Sequence, residues 1–191
     1  MPATKQSSPR LRKGWLEGLR RIDSPNHDPR PDGEPITLIV VHAISLPPTE
    51  FGGQAIIDLF TNCLDTSTHP YFAQLDGVRV SAHFLLRRDG EMIQFVSCEQ
   101  RAWHAGQSCW QGRTRCNDFS VGVELEGCDD RSFEDAQYRQ LLALLRVLRA
   151  NYPIDAVVGH SDIAPGRKTD PGPCFDWRRL ASLGQLPGRC R

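Results

Sequence analysis

The run Ile36-Thr37-Leu38-Ile39-Val40-Val41 limits the fold of this chain more than any other segment. It holds no charge and is almost entirely branched and apolar, which suits a strand covered on both faces rather than one facing water at every second residue. It is far too short to cross a bilayer, and it stops at His42. A second, shorter run of the same kind, Ala156 to Gly159, ends at His160. Strands covered on both faces need helices or loops packed on each side, so a layered α/β (α+β) architecture is expected.

The rest of the pattern fills in that architecture. Leu11, Trp15, Leu19 and Ile22 recur at helical spacing and predict a short amphipathic helix over 11–22. The turn-rich stretch SPNHDPRPDGEP breaks regular structure. Ser45 to Gly53 reads as a loop, and Ile56, Ile57 and Phe60 mark a helix from Gln54. Two strands fall within VRVSAHFLLRRDGEMIQFV, joined by the turn Arg88-Asp89-Gly90, since Asp-Gly between apolar runs is a hairpin signal. A loop from Trp103 to Arg115 leads to the strand FSVGVELEG. Leu141, Leu144, Leu145 and Leu148 give a core-facing stripe to a helix over 134–151, with Ser132 as its expected cap and Pro153 closing it. After the loop SDIAPGRKTDPGP, FDWRRLASL predicts a last helix. The expected fold is one domain, residues 11–191, with a mixed central β-sheet flanked by helices; residues 1–10 are expected to be a disordered tail.

Composition narrows the function. With 191 residues, 39% hydrophobic and 24% charged, the chain reads as an ordinary globular protein. Lys plus Arg equals Asp plus Glu at 23 each, so the basic excess on which nucleic-acid and membrane-surface binding rely is absent. The seven cysteines are odd in number and include no CxxC pair, which favours reduced thiols over a disulfide framework. The polar N-terminus lacks the apolar core of a signal peptide, and a cytoplasmic location is expected.

His42 and His160 both stand at the carboxyl end of a buried strand, where ligand sites of open α/β sheets lie. Asp170, in the Pro- and Gly-rich loop after His160, could fold back to them. Two histidines and a carboxylate, with a fourth position for water, make a catalytic zinc pattern. The spacing matches no compact signature, so the alternative of strand-end polar residues and an N-capping aspartate stays open. His27 and His69 read as surface residues, and His83, within the strand SAHF, as a satisfied histidine or a ligand. His104, beside Trp103 in WHAG, suits the face of a sugar or peptide or else a loop anchor. Glu124 and Glu126 alternate with Val121, Val123 and Leu125, on a side that faces solvent or, next to Gly122, borders a pocket. Lys168 could stabilise an oxyanion or be a solvated loop charge.

Seven segments taken together add to this reading. VVHAISLPPTEFGG, HPYF, VRVSAHFLLRRDGEMIQFV, RAWHAG, RCNDFSVGVELEG, DAQY and GHSDIAPGRKTDPGP, in this order, closely resemble the cytoplasmic 1,6-anhydro-N-acetylmuramoyl-L-alanine amidases of bacteria (the AmpD type). Those amidases share their fold with phage-type amidases and peptidoglycan recognition proteins. The likeness runs from about Gly14 to Trp177. It implies zinc held by His42, His160 and Asp170, catalysis by Glu124 and Lys168, and substrate contacts from Arg79, Trp103, His104 and Arg115. The implied substrate is a small molecule, an anhydromuropeptide cut between the lactyl group of the sugar and L-alanine, and a monomer is expected. At one position the chain departs from that pattern: Ala43 stands where these amidases usually have Asn. Two rival readings remain, a module that binds peptidoglycan fragments without cutting them and a murein amidase acting on intact cell wall. Binding-only relatives of this fold typically lack one metal ligand, whereas all three positions are filled here.

Overall fold

A computed structural model of the chain describes residues 10–183. The expected tail, but for Arg10, lies outside the described residues. The Ile36–Val41 run forms a strand as expected, in a six-stranded sheet, but the strand begins at Leu38 and continues past His42 to Ile44. In chain order the strands are β1 (Arg20–Arg21), β2 (Leu38–Ile44), β3 (Phe84–Leu86), β4 (Met92–Gln94), β5 (Ser120–Glu126) and β6 (Ala156–Gly159). They lie side by side as β6-β2-β5-β3-β4-β1. The first four of that row are mutually parallel, β4 runs antiparallel to β3, and β1 runs alongside β4. The sheet is therefore mixed, as expected.

Both faces of the parallel part are covered. On one face, Ile39 and Val41 of β2 and Val121, Val123 and Leu125 of β5 pack against α2 (Asp135–Asn151) through Tyr138, Leu141, Leu144, Leu145 and Leu148. Each such leucine contributes roughly 1.5–3 kcal/mol by leaving water. On the other face, Leu38, Val40 and Val158 meet Ala105, Cys116, Phe119 and Ile163. Further along that face, Leu85 and Ile93 meet α1 (Ala55–Phe60) through Ile56, Ile57 and Phe60. Glu134 caps α2 in place of the expected Ser132: its backbone N–H donates to Gln137 Oε1 at 2.9 Å, while the Ser132 carbonyl is taken by Arg88.

Three further expectations give way to tertiary contacts. No helix forms over 11–22; Leu11–Arg12 pairs antiparallel with Trp15–Leu16, and Arg20–Arg21 becomes the sheet edge. Lys13, Gly14 and Gly18 all have positive φ, which stops a helix, and a Cβ at Gly14 would lie 2.1 Å from Ser97 Oγ. Within SPNHDPRPDGEP, His27–Pro29 pairs with Gln100–Ala102. His83 precedes β3 rather than lying within it, though its backbone N–H still bonds Gly122 O across to β5. The last helix is a 3₁₀ segment, Trp177–Leu183.

Candidate metal centre

Strand register brings the site together. Glu124 on β5 is directly opposite His42 on β2, and Gly159 on β6 is opposite Val41, so His160 comes level with His42 one residue later. His160 opens the short helix α3 (His160–Ile163), and the loop beyond it folds back, anchored where Ser161 N–H donates to Asp170 O at 2.9 Å. Thr169 adds a second tie, its hydroxyl donating to Asp129 Oδ2 at 2.9 Å.

Three donor atoms converge. His42 Nδ1 and His160 Nδ1 are 3.0 Å apart, and each is 3.1 Å from Asp170 Oδ2. The far nitrogens are occupied within the protein: His160 Nε2 donates to Ala105 O at 3.1 Å, and His42 Nε2 is 3.0 Å from His104 Nδ1. His160 therefore turns a lone pair into the cluster. Ligands at about 2.0 Å around a tetrahedral ion are separated by about 3.3 Å, close to the spacing here. The donor set fits zinc, with two imidazoles and a carboxylate whose outer nitrogens are oriented by hydrogen bonds.

Electrostatics match that chemistry. Burial, opposed by the neighbouring Asp170 carboxylate, pushes His42 down to about 4, so the ring is neutral at pH 7. Burial raises Asp170, but its contacts with His160 Nδ1 and His42 Nδ1 outweigh it and hold the carboxyl well below its ordinary range. Glu124 moves the other way: burial first, then the charge of Asp170, raise it well above the usual carboxyl value, with Lys168 opposing. Glu124 Oε1 is 4.0 Å from His42 Nδ1, and its buried Oε2 has no hydrogen-bond partner among the described residues. A buried polar oxygen without a partner is costly, and such groups concentrate at functional sites.

A cavity of about 590 Å³ opens over this cluster, with His42, Glu124, His160, Lys168 and Asp170 among its lining. Leu46, Leu59, Phe60, Leu75 and Val80 form its apolar wall. Ala43 and His104 line it too, although both nitrogens of His104 are engaged inside the protein, with His42 and with Ser120 Oγ at 3.2 Å. The other expected substrate contacts are not brought to this cavity. Arg79 is exposed and donates to Val78 O, while Trp103 Nε1 donates to Asp28 Oδ1 at 3.1 Å. Arg115 pairs with Asp118 and lines a neighbouring cavity of about 490 Å³. Among the lining residues not singled out in the sequence are Tyr71 and Asp129 at the first cavity, and Arg167, which lines both. Only the position of Arg167 beside Lys168 could have signalled any of them.

A buried two-histidine, one-carboxylate cluster beside an unpartnered glutamate describes a hydrolytic site, and the comparisons specify which. The family described as N-acetylmuramoyl-L-alanine amidase matches residues 32–173, and the chain belongs to that family. It is similar to the 1,6-anhydro-N-acetylmuramyl-L-alanine amidase AmpD of Escherichia coli, at 58% identity over 175 residues, covering 91% of this chain and 96% of that one. A crystal structure of a selenomethionine AmpD derivative superposes with a TM-score of 0.88 at 56% identity, covering 91% and 98% of the two chains. The E. coli amidase AmiD, solved in complex with anhydro-N-acetylmuramic acid-L-Ala-D-γ-Glu-L-Lys, matches at 31% identity and a TM-score of 0.59, covering 93% of this chain and 66% of AmiD.

Proposed function

We propose that this amidase hydrolyses the amide between the lactyl group of 1,6-anhydro-N-acetylmuramic acid and L-alanine of the stem peptide, with zinc as its cofactor, in peptidoglycan recycling. The substrate assignment is supported by the relatives described above, and the zinc assignment by the His42, His160 and Asp170 donors, 3.0 to 3.1 Å apart. Zinc held there would supply Lewis acidity, polarising the scissile carbonyl and acidifying a water. The chain's own residues do the rest. Glu124 Oε2, buried and unpartnered, takes a proton from the attacking water; the raised carboxyl then hands it to the departing alanine nitrogen. Lys168, which lines the same cavity, supplies a cation to the carbonyl oxygen as it gains negative charge. The apolar wall around Leu46 and Phe60 excludes water from the far side of the substrate. The free thiols at Cys63, Cys98, Cys109, Cys116, Cys128 and Cys174 support a reducing, cytoplasmic setting.

The carrying observation is the unpartnered Glu124 oxygen beside three converging donors. The test is metal content together with hydrolysis of an anhydromuramoyl tripeptide and of intact murein. Stoichiometric zinc and preferred cleavage of the tripeptide are expected, and Asp170→Ala should lose most of both. Tight tripeptide binding without cleavage would identify a recognition module instead, and preferred cleavage of murein a cell-wall amidase.

A further inference from the structure

His104 lies one residue from the Trp103 side chain but points inward, and its surroundings are built around its ring. The residue is 8% exposed. The N–H groups of His104 and Ala105 both donate to Asn117 Oδ1, at 3.2 and 2.8 Å, which fixes the backbone. The ring stands edge-on to His42, with centroids 5.1 Å apart and planes at 83°. Gly122 makes room for it: a Cβ there would lie 2.4 Å from His104 Cγ. Its two nitrogens make one chain of contacts, His42 Nε2 to His104 Nδ1 at 3.0 Å and His104 Nε2 to Ser120 Oγ at 3.2 Å.

A neutral imidazole carries one N–H and one lone pair, so the order of protons along this chain decides what His42 presents to the cluster. If Nε2 of His42 bears its proton and donates it to His104 Nδ1, the Nδ1 of His42 keeps its lone pair toward Asp170 and His160. His104 then carries its own proton on Nε2 and donates it to Ser120 Oγ. The opposite order would place a proton on His42 Nδ1, inside the donor cluster, where it competes with a cation.

We infer that His104 is a positioning residue: it accepts the Nε2 proton of His42 and, backed by Ser120, fixes the ring and tautomer that make His42 Nδ1 a metal ligand. This rests on the zinc reading above. His104 does not touch the reacting atoms in this role; it acts through His42. Outer hydrogen-bond partners of ligating histidines are worth about 10–100-fold in metal affinity.

The test is zinc affinity, measured by chelator competition on the full chain, for the unsubstituted protein, His104→Ala, His104→Asn and Ser120→Ala. Asn places an amide oxygen near the position of the lost Nδ1, so it can still accept from His42. His104→Ala should weaken zinc about 10–100-fold, Asn should recover most of that loss, and Ser120→Ala should fall between. In the zinc-loaded, ¹⁵N-labelled unsubstituted protein, a scalar coupling across the His42 Nε2–H···Nδ1 His104 bond should appear; this readout needs no variant to fold. Equal zinc affinity in all four proteins, equal loss in Ala and Asn, or absence of the coupling would overturn the role of His104. Failure of the unsubstituted protein itself to bind zinc would instead overturn the zinc reading, and the inference with it.

Discussion

Gly122 and His83 show how single residues keep the site in place. At Gly122 an added Cβ would meet Cγ, Cδ2 and Nδ1 of His104 at 2.4 to 2.7 Å, and the ring is held at both nitrogens by His42 and Ser120. Gly122→Ala should therefore destabilise the protein by about 1–3 kcal/mol, the range for overpacking a filled core, read as a lower urea midpoint at unchanged m-value. His83 is wholly buried, its Nδ1 accepting from Gly122 N–H and its Nε2 beside Gln100 O, each at 3.0 Å. Burial, and then the charge of Arg30, push it down to about 3 from 6.5. The unfolded chain thus binds a proton at His83 that the folded chain refuses, so this group's stabilisation is complete above pH 6.5 and is lost as pH falls toward about 3. Between pH 5.5 and 4 the metal-free protein should lose about 1.4 kcal/mol per pH unit on this account, and His83→Asn should remove that part of the slope. An unchanged slope in urea titrations of His83→Asn would contradict this. The sequence could not say which way His83 faced, because residues flanking a strand alternate sides only once its register is known.

At the scale of elements, β5 contributes to the site at two levels, Glu124 toward the donors and Glu126 toward the loop before α1. Glu126 is 2% exposed and accepts from Gly52 N–H at 2.6 Å, Arg87 Nη1 at 3.1 Å and Arg88 N–H at 3.3 Å. These bonds hold the segment 45–53, whose Leu46 and Pro48 line the cavity. Glu126→Ala would remove the buried carboxylate from Arg87 and leave it with the half-exposed Glu91 at 3.6 Å, and breaking a buried pair costs about 3–5 kcal/mol. The expected result is a loss of about 3 kcal/mol in urea unfolding and faster hydrogen exchange at Gly52; slow exchange at Gly52 in that variant would show that the loop is held by something else. The alternation of SVGVELE was plain in the sequence, and so was the side on which both glutamates lie. Their burial was not, since it depends on segments 45–53 and 100–119 covering that side. The same limit explains 11–22: apolar spacing suggested a helix, while the deciding contact, Gly14 against Ser97 and Cys98, joins residues more than eighty positions apart.

Over the whole molecule, the donor cluster ties the middle of the sheet to the end of the chain. Two of its three donors were legible because each stands directly after a buried apolar run, and parallel neighbours point the same way. Asp170 was not fixed by spacing, because a loop of ten residues can return in many ways; the hydrogen bond from Ser161 N–H to Asp170 O selects one. With His42 on β2, His160 at the start of α3 and Asp170 in that loop, an ion held as proposed would join segments 128 residues apart that separate on unfolding. An ion that binds the folded chain far better than the unfolded one stabilises it by RT ln(1 + [L]/Kd), about 4 kcal/mol at a thousandfold excess over Kd. For a chain of this size each kcal/mol moves the midpoint by about 2–4 °C, so zinc should raise the melting temperature by roughly 10 °C over the chelated protein. The rise should grow with the logarithm of free zinc and nearly vanish in Asp170→Ala, where one ligand is gone. If scanning calorimetry gave the same melting temperature in zinc and in chelator, these residues would not form a zinc site of useful affinity. A rise of equal size in Asp170→Ala would place the ion elsewhere on the protein.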